Sequence, residues 1–318
     1  MRRVFAAFGW LLAFMLAGGV AVEAAAIIVA PHHPIPTKAL AMLGGMGGEF
    51  GVNLWLLALC FARLPGARAP RWGRPRLGLV EGLWGMLGFG LTMGAGGGLF
   101  VNVRMAAAFY LILQHTGFRP SLTDPVTLTG AVLAGEFMTA LWLAWSMRRL
   151  GLPHLADGSP RGVAWRSAPA VAYAQVVLLA LLLAGVVVAM YKLVPPDLKS
   201  LENLPSAKLF EGPPITISAM LGVVLLLGPV LEEIAFRGIG FAGVASRLGS
   251  GGAVAITTLL FLAAHGPEKL HYLPGFLDVG LLALASCHLR LRYGSIRPGI
   301  LLHMLYNGFG LVAAAALT

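Results

Sequence analysis

The sequence predicts an all-α membrane protein, a polytopic transmembrane bundle of about nine helices. Three observations predict it. Of 318 residues, 58% are hydrophobic and 11% charged, and the mean hydropathy is +0.82, well outside the range of soluble domains. Long apolar stretches, each near the ~20 residues needed to cross a bilayer, alternate with Arg, Pro and Gly clusters. The stretches are continuous, without the alternation in blocks of about ten that a membrane β-barrel requires.

The first stretch, 4–30, follows Met1-Arg2-Arg3 and carries small residues, Ala21 and Ala24 to Ala26, around Glu23, as a signal peptide would. Ile27, Ile28 and Val29 continue the apolar run, so an uncleaved first helix is expected. The second is 39–62. The third, 77–114, is too long for one plain crossing. Its Gly94-Ala95-Gly96-Gly97-Gly98 run and Arg104 predict either a broken helix with a re-entrant half or two short crossings, and one net crossing is preferred. Then come 126–147, 169–191, 214–234, 250–265, 271–289 and 297–316. Polar connections at 148–168 and 192–213 separate them, the second holding Pro195, Pro196, Asp197, Lys199, Glu202 and Pro205 and expected to face outward. No internal repeat is visible. One bundle results, with an N-terminal extension, 1–168, and a core, 169–318.

The net charge of +10 resembles a nucleic-acid footprint, but its placement suits a membrane protein and no nucleic acid is expected. Arg2, Arg3, the Arg63 to Arg76 group, Arg148, Arg149, Arg161, Arg166, Arg237, Arg247, Arg290, Arg292 and Arg297 fall on alternate loops. The positive-inside rule then puts those loops and the N-terminus in the cytoplasm and the C-terminus outside. Cys60 and Cys287 sit in separate apolar segments and indicate neither a disulfide framework nor a thiolate metal site.

Ionisable residues inside apolar segments are informative, because each costs about 2.5–3.5 kcal/mol at mid-depth. Glu23, Glu49, Glu81, Arg104 and Glu136 lack a common spacing and read as structurally paired or near an interface. The C-terminal third differs. In Gly228-Pro229-Val230-Leu231-Glu232-Glu233-Ile234-Ala235-Phe236-Arg237, Glu233 and Arg237 form a favourable i,i+4 pair, while Glu232 points about 100° away. Both glutamates could instead sit at the cytoplasmic interface beside Arg237. Phe261 precedes His265 by one turn, and His265 alone could be an interfacial cap. If 216–246 is one long helix turning at Arg247 to Gly251, Glu232 and His265 lie at matching depth on antiparallel neighbours. His303 and Asn307 share a face of the last helix, either as a packing pair or as part of the same site. Lying only six residues after Arg297, His303 matches that depth imperfectly. Together these groups suit peptide hydrolysis. A partly desolvated carboxylate can serve as general base on a water held by histidine, and a second His with an Asn can donate to the oxyanion.

The three stretches resemble the Glu-Glu-x-x-x-Arg, Phe-x-x-x-His and His-x-x-x-Asn motifs of the CAAX-processing and bacteriocin-immunity (CPBP) family of intramembrane glutamic proteases. The resemblance covers about 215–310. It implies Glu232 as the water-activating base, His265 as its partner, His303 and Asn307 as the oxyanion site, and Glu233, Arg237 and Phe261 as supporting residues. It also implies a membrane-associated protein or peptide as substrate. Glu with two His is a possible zinc set, but no His-Glu-x-x-His helix is present, so a metal-free mechanism without cofactor is expected. The rivals are a non-catalytic scaffold or immunity protein of the same fold, expected to lack a motif residue, and a transporter, expected to show paired broken helices.

Overall fold

Along Ala170–Leu193, the buried residues Ala172, Val176, Ala180, Leu183 and Val187 recur every three or four positions and face the protein. The other side carries Val177, Leu178, Leu181 and Leu182, each more than half exposed. A helix apolar on both sides meets protein on one and lipid on the other. The same pattern, repeated, builds the molecule.

The computed structural model describes residues 2–29, 37–65, 77–113, 121, 123–197, 205–208 and 210–315. In order, the helices are α1 (Arg2–Val29), α2 (Thr37–Ala62), α3 (Leu79–Leu113), α4 (Pro125–Leu150) and α5 (Ala170–Leu193). A long segment follows: α6 (Pro214–Gly222), a π-helical stretch π1 (Val223–Leu227), α7 (Gly228–Glu233), a second π stretch π2 (Ile234–Gly240) and α8 (Phe241–Ala264). The chain ends with α9 (Gly275–Tyr293) and α10 (Arg297–Ala315). Among the described residues there is no strand, and nine helical rods are present once a chain reversal inside α8 is recognised. Among the described residues, five stretches, Ala41–Ala62, Leu79–Phe109, Pro125–Leu150, Ala170–Leu193 and Pro214–Ala264, are long and apolar enough to cross a membrane. The fold is a polytopic helix bundle, as expected.

The last of those stretches is a hairpin. A straight helix would hold Glu232 and His265 roughly 50 Å apart, yet their side chains are 4.0 Å apart. The chain folds back at Gly249, where φ is 70° and ψ is −178°, a backbone conformation that favours glycine.

The expected break in the third segment is corrected. α3 runs unbroken through 94–98, because the glycines there serve contact. A Cβ on Gly96 would lie 2.8 Å from the Ala134 carbonyl oxygen, and one on Gly97 would lie 2.9 Å from that of Ala131. Their absence lets α4 approach closely. The interface is stitched by Thr92 and Thr139, whose hydroxyls are 3.1 Å apart. On its other side α3 meets the hairpin, where Gly82 and Gly243 touch so closely that either Cβ would come within 2.7 Å of the other's Cα. Arg104, Asp124 and Thr127 form a polar group at the far end of α3, with Arg104 and Asp124 3.4 Å apart. Asn102 donates to Glu49 at 3.4 Å and accepts from Asn53 at 3.2 Å, joining α2 to α3. Cys60 and Cys287 are free and buried in the core.

Arg237 was counted with the loop arginines, and this too is corrected. It lies inside π2, fully buried, paired with Glu233. Arg290 is equally enclosed: it donates to the carbonyls of Arg237, Gly162 and Pro160 and so draws the 151–169 connection under the bundle. Ile296 donates to Ala164 at 3.0 Å, and Ser295 to the Arg166 carbonyl. The first turn of α10 therefore starts inside the protein, which removes the depth mismatch expected for His303. Of the arginines at 63–76, only Arg63 lies among the described residues; Lys199 and Glu202 lie outside them.

Candidate active site

The site is organised by one proline. In π1 the Gly228 N–H bonds to Val223, five residues back. The next donor in that register would serve the Val224 carbonyl, but residue 229 is Pro and has no N–H. Asn307 of α10 supplies the missing donor: its Nδ2 gives a 2.7 Å hydrogen bond to the Val224 oxygen. The π register thus locks α10 to the segment that carries both glutamates, and such wide turns are frequent at functional sites.

Glu233 and Arg237 are both completely buried, 3.2 Å apart. Their alignment is poor for hydrogen bonding, and the guanidinium lies 4.1 Å above the Phe261 ring, which adds a cation–π contact. Phe261 also packs on the two imidazoles, with ring centres 4.5 Å from His265 and 5.8 Å from His303. One aromatic ring therefore holds the arginine and both histidines.

Glu232 faces the other way. Its Oε2 lies 4.0 Å from His265 Nε2 and 3.9 Å from His303 Nε2. His265 Nδ1 is 2.9 Å from the Phe261 carbonyl and donates to it, so in the neutral ring Nε2 is an acceptor aimed at Glu232. His303 is almost fully buried, with Nδ1 3.4 Å from Glu233 Oε1. The four motif residues thus occupy one neighbourhood, but with different partners: Glu232, His265 and His303 converge, while Asn307 is tied to Val224. Glu233, Arg237 and Phe261 stand behind them. Among the described residues, no group of three or more His, Cys, Asp or Glu side chains is arranged to hold a metal ion.

Glu232 and His265 border a cavity of about 1010 Å³. Its walls are mostly apolar and come largely from α3, through Trp84, Met86, Leu87, Phe89 and Met93, with Leu260 and Phe236 from the hairpin. Arg63, Glu81 and Arg149 also line it. Nothing in the sequence marks the apolar wall residues, because an apolar helix gives no sign of which face borders a cavity.

Glu136 of α4, expected to be structurally paired or near an interface, has no ion pair among the described residues and is 3% exposed. It lies against Gly228: a Cβ there would be 3.7 Å from Glu136 Oε1 and 4.0 Å from Glu232 Oε1. Nothing in the sequence links 136 to 228–233; only the fold does.

Residues 214–309 match a family model described as Type II CAAX prenyl endopeptidase Rce1-like. The match covers all seven residues named from the motifs and supports membership of this protease superfamily. No curated protein and no solved structure matches the chain.

Proposed function

We propose that this chain is an intramembrane glutamic endopeptidase that hydrolyses a peptide bond in a membrane-associated protein or peptide. The observation that carries the reading is the 4.0 Å separation of Glu232 Oε2 and His265 Nε2 beside an apolar cavity. One water donating hydrogen bonds of about 2.8 Å to both acceptors spans such a gap with an angle near 90°, close to its own H–O–H geometry. That orientation leaves the water's lone pairs free for attack.

In the reaction, the water oxygen bonds to the scissile carbonyl carbon while its proton passes to Glu232. The carbonyl electrons move to oxygen. His303 donates from Nε2 to that oxyanion, with its Nδ1 turned toward Glu233, and Asn307 contributes its second amide N–H. Collapse breaks the C–N bond, and Glu232 returns the proton to the leaving amine. Arg237 and Phe261 keep Glu233 and the rings in place. The superfamily match over 214–309 supports the reaction class, and the mostly apolar cavity walls support a substrate anchored by an apolar group. The arginine-rich ends of the helices are assigned to the cytoplasm, with the N-terminus inside.

The test is cleavage of a membrane-anchored peptide library by purified wild-type and Glu232→Gln protein, with and without chelator, read by mass spectrometry. Glu232→Gln should lower kcat about 10²–10⁴-fold, the range of a general base, while the melting temperature stays that of the wild type. Full activity in the variant would remove the mechanism. Activity lost on chelation would replace it by a metal mechanism, and absence of cleavage would favour a non-catalytic scaffold or immunity protein of the same fold.

A further inference from the structure

We infer that Glu136, on α4 in the N-terminal half, is a positioning residue of this site whose neutral carboxyl group donates a hydrogen bond toward Glu232. The inference rests on the peptidase reading and adds a residue outside the stretch matched by the family model. Its starting point is the division of labour on Glu232. One oxygen, Oε2, faces the two imidazoles at 3.9 and 4.0 Å. The other, Oε1, lies 4.0 Å from where a Gly228 Cβ would stand, and Glu136 Oε1 lies 3.7 Å from the same point. The two oxygens are therefore at most about 8 Å apart, and a side-chain rotation or a short chain of waters joins them. Glycine at 228 keeps that space open.

Glu136 is nine-tenths buried, and its Oε2 has no hydrogen-bond partner among the described residues. Elsewhere around Glu136, α6 and π1 contain no titratable side chain. The charged residues of α3, Glu81 and Arg104, lie about 16–18 Å along its axis from the level of Met93. The charged group facing Glu136 from the hairpin is thus Glu232, with Glu233, Arg237, His265 and His303 beyond it. Two carboxyl groups that face one backbone position in a low dielectric avoid carrying two negative charges by keeping a proton. A proton on Glu136 makes it a donor toward Glu232. In this arrangement the N-terminal half supplies part of the site itself as well as a cavity wall.

The test has two arms on the full chain in lipid nanodiscs. In pH-dependent infrared difference spectra, the band of a protonated carboxyl should vanish in Glu136→Gln and shift in Glu232→Gln. A spectrum unchanged by Glu136→Gln, or a Glu136 band indifferent to Glu232→Gln, overturns the inference. This arm needs no substrate, so its failure is separate from failure of the peptidase reading. In the kinetic arm, Glu136→Ala should lower kcat on the order of 10-fold or more with KM unchanged, a smaller loss than removal of the base itself. Glu136→Gln, which retains a donor, should keep most of the rate, and the alkaline limb of its pH profile should move upward or disappear. Wild-type rates and profile in both variants, or a Gln variant as impaired as a folded Ala variant, overturn the inference.

Discussion

At the scale of single residues, two adjacent glutamates have been given opposite environments. Glu233 is sealed against Arg237 and Phe261, whereas Glu232 reaches the cavity edge. Removing the charge of Glu233 leaves a guanidinium fully buried with no counter-ion, and breaking such a pair costs about 3–5 kcal/mol. Glu233→Gln should therefore lower the melting temperature in detergent markedly, while Glu232→Gln should leave it in place; equal stability of the two would contradict the assigned roles. A methyl group at Gly228 would stand in ordinary contact with both Glu136 and Glu232, filling the space between them. The same methyl would stand 3.3 Å from the Val223 carbonyl oxygen, so Gly228→Ala should reduce kcat and also lower stability modestly, measured by kinetics and melting together. Much at this scale was legible in sequence: Glu232, His265 and His303 stood out because ionisable groups in apolar helices are costly. Glu136 paid the same desolvation cost, but its partner is 96 residues away in sequence, and no local spacing announces a contact of that range.

At the scale of elements, each π stretch gives up a carbonyl to a side chain from another helix. Val224 in π1 accepts from Asn307 of α10, and Arg237 in π2 accepts from Arg290 of α9. The wide turns thereby become cross-links, and the helix that bears the glutamates is held at both shoulders. Asn307→Ala should leave the Val224 carbonyl unsatisfied and cost about 1–3 kcal/mol. Pro229→Ala restores an N–H in the right register, so the double variant should regain stability relative to Asn307→Ala alone. If stability returns while kcat stays low, Asn307 acts on the reaction as well as on packing; recovery of both would confine it to packing. Most helix positions were readable from hydropathy within a few residues, since length and apolar run fix them, but the segment expected at 214–234 runs on to the reversal at Gly249. The π register was not, although Pro229 marks the place: a missing donor can end a helix, kink it or widen it, and the choice depends on whether a distant side chain is available to accommodate the orphan.

At the scale of the whole molecule, close contact through glycine joins the N-terminal helices to the hairpin. Gly82 and Gly243 meet at backbone distance, and α3 lines the cavity from the same interface. Replacing Gly82 by Leu forces the helices apart, and overpacking of this kind costs about 1–3 kcal/mol or more. Gly82→Leu should lose cleavage at a site it never touches, with KM rising as the cavity wall moves; an unchanged KM would mean the wall takes no part in binding. The run at 94–98 illustrates the limit of sequence here. Glycine permits both a break and a close approach, and only the presence of α4 against it decides between them. The reversal at Gly249 has a further consequence. With no loop to absorb slack, the number of residues between Glu232 and His265 acts as a ruler. One residue inserted next to Gly249 would rotate the arm bearing His265 by about 100° and advance it by 1.5 Å, turning the imidazole away from the base. Spacing along this hairpin is therefore as much a part of the chemistry as the identity of the residues at its two ends.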